Sequence, residues 1–204
     1  MDKPTLCIAS RNLHKVQEIT PILAPYWTVK SSQDYPDLEE VDETGDSFLA
    51  NATLKAVATS QAIPDHVMAD DSGLECDALD GAPGVFSARY GGVPSSDANN
   101  NAKLLQELQR VNAVTPQQRA GRYRCVLVVA REGEIIATFD GVCEGTIALA
   151  PKGTGGFGYD PLFIPQGYAR TFGQLGVKTK AGLSHRALAL KKFLAWCKTC
   201  KPAA

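Results

Sequence analysis

Apolar and polar positions along this chain change period several times, and each change marks an element. Thr5-Leu6-Cys7-Ile8-Ala9 is a short apolar run of buried-strand length, broken by the polar turn Ser10-Arg11-Asn12. Val16, Ile19 and Leu23 then recur at one-face helical spacing, with Pro21 predicted to kink that helix or end it early. Tyr26 to Lys30 alternates like a strand, and Gln33 to Asp46 is a polar connection carrying Glu39-Glu40, Asp42-Glu43 and Gly45. Phe48 to Ile63 is alanine-rich and helical, with Pro64 as its stop.

His66-Val67-Met68-Ala69 reads as a short strand that ends in Asp70-Asp71-Ser72-Gly73. Ser96 or Asp97 can cap a helix from Ala98 to about Val111. Tyr123 to Arg131 and Glu134 to Thr138 read as strands joined at a Glu132-Gly133 turn. Gly153 to Asp160 is a glycine-rich loop, and Ser184 caps a last helix whose apolar positions include Leu188, Phe193 and Leu194. Helices alternating with strands, and a hairpin in the second half, predict an α/β fold with a mixed sheet.

Composition narrows the class. A chain of 204 residues can form one large domain or two closely joined lobes with a substantial core. Its apolar and charged fractions, 44% and 21%, are those of an ordinary globular protein. A formal net charge of −1 gives no overall pull towards nucleic acid or an anionic membrane, although one basic cleft could still hold a nucleotide. Residues 1–5 lack the basic-then-apolar order of a signal peptide, and no run approaches a membrane span. Cys197-Lys198-Thr199-Cys200 is a single C-x-x-C without a second pair at zinc spacing, and reads as incidental cysteines on a C-terminal helix. A cytoplasmic protein is the expectation.

Five segments could carry chemistry. Ser10-Arg11-Asn12-Leu13-His14-Lys15 lies at a strand-to-helix junction, where N–H groups, the helix dipole and Lys15 favour an anion; taken alone it reads more readily as a capped helix with a surface lysine, since such junctions are common. Asp70-Asp71 places adjacent carboxylates at a strand end, tolerable with a divalent cation between them; the bland alternative is a solvated Asx turn. Glu40 or Glu43 of the acidic loop could add a ligand. Gly153 to Gly158 matches G-x-G-x-x-G, but Tyr159-Asp160-Pro161 follows where a dinucleotide site needs a helix, and no Walker lysine is present. The loop instead presents Phe157 and Tyr159 as stacking candidates. Ser184-His185-Arg186, with Lys178 and Lys180 just before, opens a helix with donors suited to a phosphate or a base carbonyl; a serine-hydrolase triad is not supported, because Ser184 and His185 are neighbours that do not face each other.

The order of these blocks is more specific than any one of them. Ser10-x-Asn12-x-x-Lys15, Glu43-Thr44-Gly45-x-x-Phe48-x-x-Asn51-Ala52, Ala69 to Leu74, Gly81 to Tyr90, Gly155 to Pro161 and Ser184-His185-Arg186 together resemble the inosine triphosphate pyrophosphatase family over nearly the whole chain. The resemblance implies one two-lobed domain over residues 1–204, with an elongated mixed β-sheet flanked by helices and a central nucleotide-binding cleft. It implies a homodimer that hydrolyses the purine nucleoside triphosphates ITP, dITP and XTP with Mg²⁺ to the monophosphate and pyrophosphate. By the same resemblance Ser10, Arg11, Asn12, Leu13, His14 and Lys15 hold the triphosphate. Asp71 binds metal and acts on the attacking water, Glu40 is the second metal ligand, and Ser72 lies beside the nucleotide. Phe157, Gly158, Tyr159, Asp160, Lys180, His185 and Arg186 form the base pocket. Arg11 and His14 stand where the family commonly has a small residue and a glycine.

Overall fold

A computed structural model describes residues 3–199. β1 (Thr5–Ile8) has Leu6, Cys7 and Ile8 fully buried, as a strand with neighbours on both edges requires. It pairs in parallel with β2 (Thr28–Ser31), Leu6 opposite Val29, and with β3 (His66–Cys76), Leu6 opposite His66. Helices make both crossovers, α1 (Leu13–Leu23) and α2 (Phe48–Ala62), as parallel neighbours demand. α1 runs through Pro21 to Leu23: Ile19 and Leu23 are fully buried, and packing of that face outweighs the hydrogen bond proline cannot donate.

The sheet has six strands in the order β2-β1-β3-β4-β5-β6, a mixed α/β arrangement flanked by helices. β4 (Ala120–Arg131) and β5 (Glu134–Ile147) are joined through Glu132 and Gly133, both at positive φ (54° and 82°), the twist-matched geometry of a two-residue hairpin turn. Both strands are longer than their apolar runs suggest. β6 (Phe163–Pro165) adds an antiparallel edge, Thr146 opposite Ile164. α3 (Asp97–Arg110) is capped by Ser96, α4 spans Val177–Leu183, and α5 (His185–Thr199) has Ser184 accepting from the Ala187 N–H at 3.2 Å.

One expectation changes here in a way that matters for the site. β3 does not end at Ala69; it continues through Asp70-Asp71-Ser72-Gly73 to Cys76, with Leu74 and Cys76 fully buried. The two aspartates are therefore mid-strand residues, and strand alternation sends their side chains to opposite faces.

The chain divides into two units. The first comprises Met1–Asp71, Cys125–Asp140 and Leu188–Ala204, and the second Ser72–Arg124 and Gly141–Ala187. In the first, Ile19 and Leu23 of α1 and Leu190 and Phe193 of α5 pack on Leu6, Ile8, Met68, Leu127 and Val129. In the second, Leu104 and Leu108 of α3 pack with Leu74, Tyr123, Ile147 and Phe163. Among the described residues no helix is long and apolar enough to cross a membrane. Cys200 lies outside the described residues; burial pushes the Cys197 thiol up to about 11.

Candidate active site

In the first unit the strand-to-helix turn is held by its own side chains. Asn12 Oδ1 accepts from the N–H groups of His14 (3.0 Å) and Lys15 (3.3 Å), and Ser10 Oγ accepts from the Asn12 N–H (3.2 Å). These N–H groups are engaged, so the attraction for an anion rests on the dipole of α1 and on Lys15. Leu13 and His14 are exposed at the helix start, and Leu13 can offer a ligand only its backbone. Arg11 turns aside to Glu40 (3.2 Å) and the Leu38 carbonyl (3.0 Å).

The two aspartates do not share one cation. Asp70, fully buried, takes the Lys15 ammonium at 2.5 Å on Oδ1 and the Cys125 thiol at 3.1 Å on Oδ2. Asp71 Oδ1 lies 3.2 Å from Lys55 Nζ, which also donates to Glu43 Oε1 at 2.6 Å and to the Asp70 carbonyl at 2.8 Å. Each carboxylate thus has its own lysine on its own face of β3, and repulsion between them is relieved without a shared ion. Burial raises the Asp71 carboxyl above its ordinary value; Lys55 and Lys15 oppose this, while Glu43 and Asp70 add to it. Burial works to lower the Lys55 ammonium, yet Asp71, Glu43 and Asp70 outweigh it and hold it above its ordinary value.

The acidic loop contributes Glu43 to this group, whereas Glu40 is exposed and paired with Arg11. Glu43 is held in reach because the buried Asn51 accepts the Gly45 N–H at 2.8 Å and so ties the loop to α2. Asp71 Oδ2 is buried without a hydrogen-bond partner. Among the described residues no three His, Cys, Asp or Glu side chains form a ready-made metal cage. Two carboxylates and one orphaned oxygen suit a small hard cation that keeps several waters and takes its remaining ligands from substrate phosphates.

The second unit gathers buried cations around an aromatic ring. Lys180 Nζ is 2.7 Å from Asp160 Oδ2 and 4.5 Å from the centre of the Phe157 ring, and the Arg186 guanidinium stands 5.9 Å from the same ring. Arg186 donates to Ser72 Oγ at 2.9 Å, and His185 stacks on Tyr123 with centroids 4.6 Å apart. Phe157 is half-buried and remains a stacking candidate. Tyr159 does not: its ring is buried in the core of this unit and its hydroxyl donates to the Ser87 carbonyl at 2.8 Å. Asp160 is a shaping residue, accepting the Phe157 N–H at 3.0 Å beside its Lys180 contact.

Three residues of these groups escaped the sequence reading: Lys55, Cys125 and Tyr123. Lys55 had a usable signal. It falls between Asn51-Ala52 and Thr59 on the buried stripe of α2, and a lysine there calls for a carboxylate partner.

Residues 6–196 match the sequence model of the Ham1 family. This chain belongs to the Ham1 family. A curated relative from Desulforamulus reducens, named dITP/XTP pyrophosphatase, is 46% identical over 190 residues, covering 93% of each chain. The structure of the Staphylococcus aureus Ham1 protein matches with a TM-score of 0.84 at 36% identity, over 96% of this chain and 98% of that one. A HAM1 protein from Coxiella burnetii matches with a TM-score of 0.86 at 33% identity, over 97% and 100%. The mixed sheet and its helices are thus those of the Ham1 family, and the match runs through both units.

Proposed function

We propose that the chain is a nucleoside triphosphate pyrophosphatase that hydrolyses dITP, ITP and XTP to the monophosphate and pyrophosphate with Mg²⁺, clearing aberrant purine nucleotides from the pool. The name of the Desulforamulus reducens relative supports the substrate class. The observation that carries the chemistry is Asp71: a buried carboxylate with one oxygen on Lys55 and the other lacking any partner.

Mg²⁺ held by Asp71 and Glu43 would neutralise charge on the phosphoryl oxygens and polarise the attacking water. Asp71 Oδ2, buried and without a partner in the protein, would accept a hydrogen bond from that water, and the cation's charge keeps the carboxylate ionised for that role. Lys55 keeps Asp71 and Glu43 together, so neither carboxylate swings out to solvent. Lys15, anchored by Asp70, supplies positive charge to the triphosphate at the start of α1. In the second unit, Phe157 offers a face to the purine and Arg186 and Lys180 offer donors to its oxygens.

In this reading the whole chain acts as one catalytic domain, in the cytoplasm and as a homodimer. Sedimentation of the purified chain tests the assembly. A triphosphate panel tests the function: dITP, ITP and XTP should turn over with Mg²⁺, whereas binding without turnover would mark a nucleotide-binding module instead.

A further inference from the structure

The segment Phe157–Asp160 has no strand or helix of its own to fix it, yet its backbone is held at successive points. The Gly158 N–H donates to Asp97 Oδ2 at 2.6 Å, and the Gly158 carbonyl accepts from Asn101 Nδ2 at 2.8 Å. Asp97 and Asn101 are one turn apart on α3, so a single helix face grips both ends of one residue. Gly158 sits at φ +62°, a conformation costly for a side-chain-bearing residue, and the helix holds it there.

Asn101 is an unusual occupant of its position. With Leu104 and Leu108 it forms the i, i+3, i+7 buried stripe of α3, and only 8% of its surface is exposed. Its amide spends one donor on the Asp97 carbonyl (2.7 Å) and another on Gly158, while Oδ1 is buried with no partner. A leucine would extend the apolar stripe and leave no orphaned oxygen. Among the described residues, the one long-range hydrogen bond of that amide is the bond to the loop.

We infer that Asp97 and Asn101 are positioning residues for purine binding: by clamping Gly158 they hold the neighbouring Phe157 ring beside Lys180 and Arg186, an inference that rests on the assignment of Phe157 to the base. Both residues bond to Gly158, beside the Phe157 ring assigned to the base, so the clamp governs KM and leaves the chemical step alone.

The test is steady-state kinetics of the full chain on ITP, XTP and ATP with Mg²⁺, for the parent, Asn101→Leu, Phe157→Ala and the double variant. Asn101→Leu should raise KM for all three purines alike, by roughly three- to tenfold for one lost hydrogen bond. Its kcat should stay within about twofold of the parent's. In the Phe157→Ala background the same substitution should add nothing, because the clamp acts through that ring. Asp97→Ala should mimic Asn101→Leu, and Asp97→Asn, which keeps an acceptor oxygen for the Gly158 N–H, should restore most of the loss. The Asp97 pair decides if Asn101→Leu does not fold. A normal KM in folded Asn101→Leu, or full additivity in the double variant, overturns the clamp while the pyrophosphatase assignment stands. A Phe157→Ala enzyme with unchanged KM overturns the clamp together with the assignment of Phe157 to the base, and a parent that turns over no triphosphate overturns the pyrophosphatase assignment as well.

Discussion

The Lys55 ammonium lies 3.2 Å from Asp71 Oδ1, a cation from α2 set against the carboxylate assigned to the attacking water. With its side chain only 13% exposed, it is a lysine that could not remain there without acidic partners. Lys55→Met keeps the stem and leaves Asp71 and Glu43 facing each other. Stability should fall by on the order of 3 kcal/mol, the scale for removing one partner of a buried pair. Mg²⁺ should then raise the melting temperature of the variant more than that of the parent. An unchanged melting curve, insensitive to Mg²⁺, would remove Lys55 and the ion from this group.

Asp71→Asn keeps the shape of that side chain and removes its charge. Turnover should drop by about 10²–10⁴, the range for losing an oriented base or a metal ligand, while circular dichroism stays that of the parent. Near-normal turnover in the folded variant would take Asp71 out of the chemistry.

Arg186 is 2% exposed and donates to Ser72 Oγ at 2.9 Å. Hypoxanthine and xanthine carry an acceptor oxygen at C6 where adenine carries a donor amino group, so a cationic donor favours the former. Arg186→Met preserves bulk in this buried position better than alanine would. The ratio of kcat/KM for ITP over ATP should fall by roughly tenfold or more. An unchanged ratio would confine Arg186 to holding Ser72.

His66 is buried with its ring 5.4 Å from that of Trp27. Burial, reinforced by Arg131, holds its imidazole below the ordinary value, and Asp65 only partly opposes this. As pH falls through the ordinary histidine range near about 6.5, the unfolded chain takes up the proton before the folded chain does. The stability His66 confers is therefore complete above that range and declines below it. Urea unfolding at neutral and mildly acidic pH should show a larger loss for the parent than for His66→Phe. Equal losses would mean that another group sets the acid limit.

Elements with a long periodic pattern were readable from the chain. The pattern predicts α2 over Phe48 to Ile63, and the helix spans Phe48–Ala62; it predicts α3 over Ala98 to about Val111, and the helix spans Asp97–Arg110 under its Ser96 cap. β6 was not readable, because three residues ending in proline carry no period. α4 lacks an apolar stripe for the same test to detect. The Asp70-Asp71 pair misled because aspartate is disfavoured in strands, and the pair looked like a strand end. Lys15 and Lys55, distant in sequence, each pair with one of the two carboxylates and let β3 run on. Tyr159 misled similarly: a glycine-rich context suggested a presented ring, whereas the glycines let the chain turn that ring into the core. Contacts such as Asp97 and Asn101 on Gly158 exist only in the tertiary structure, and no local pattern announces them.

The central claim concerns which bond is broken, and the products report it directly. dITP or XTP incubated with the chain and Mg²⁺, followed by phosphorus NMR, should yield monophosphate and pyrophosphate in equal amounts, with no diphosphate at any time. Inorganic phosphate appearing with a nucleoside diphosphate would contradict the account, since cleavage would then lie at the γ-phosphate and not between the α- and β-phosphates.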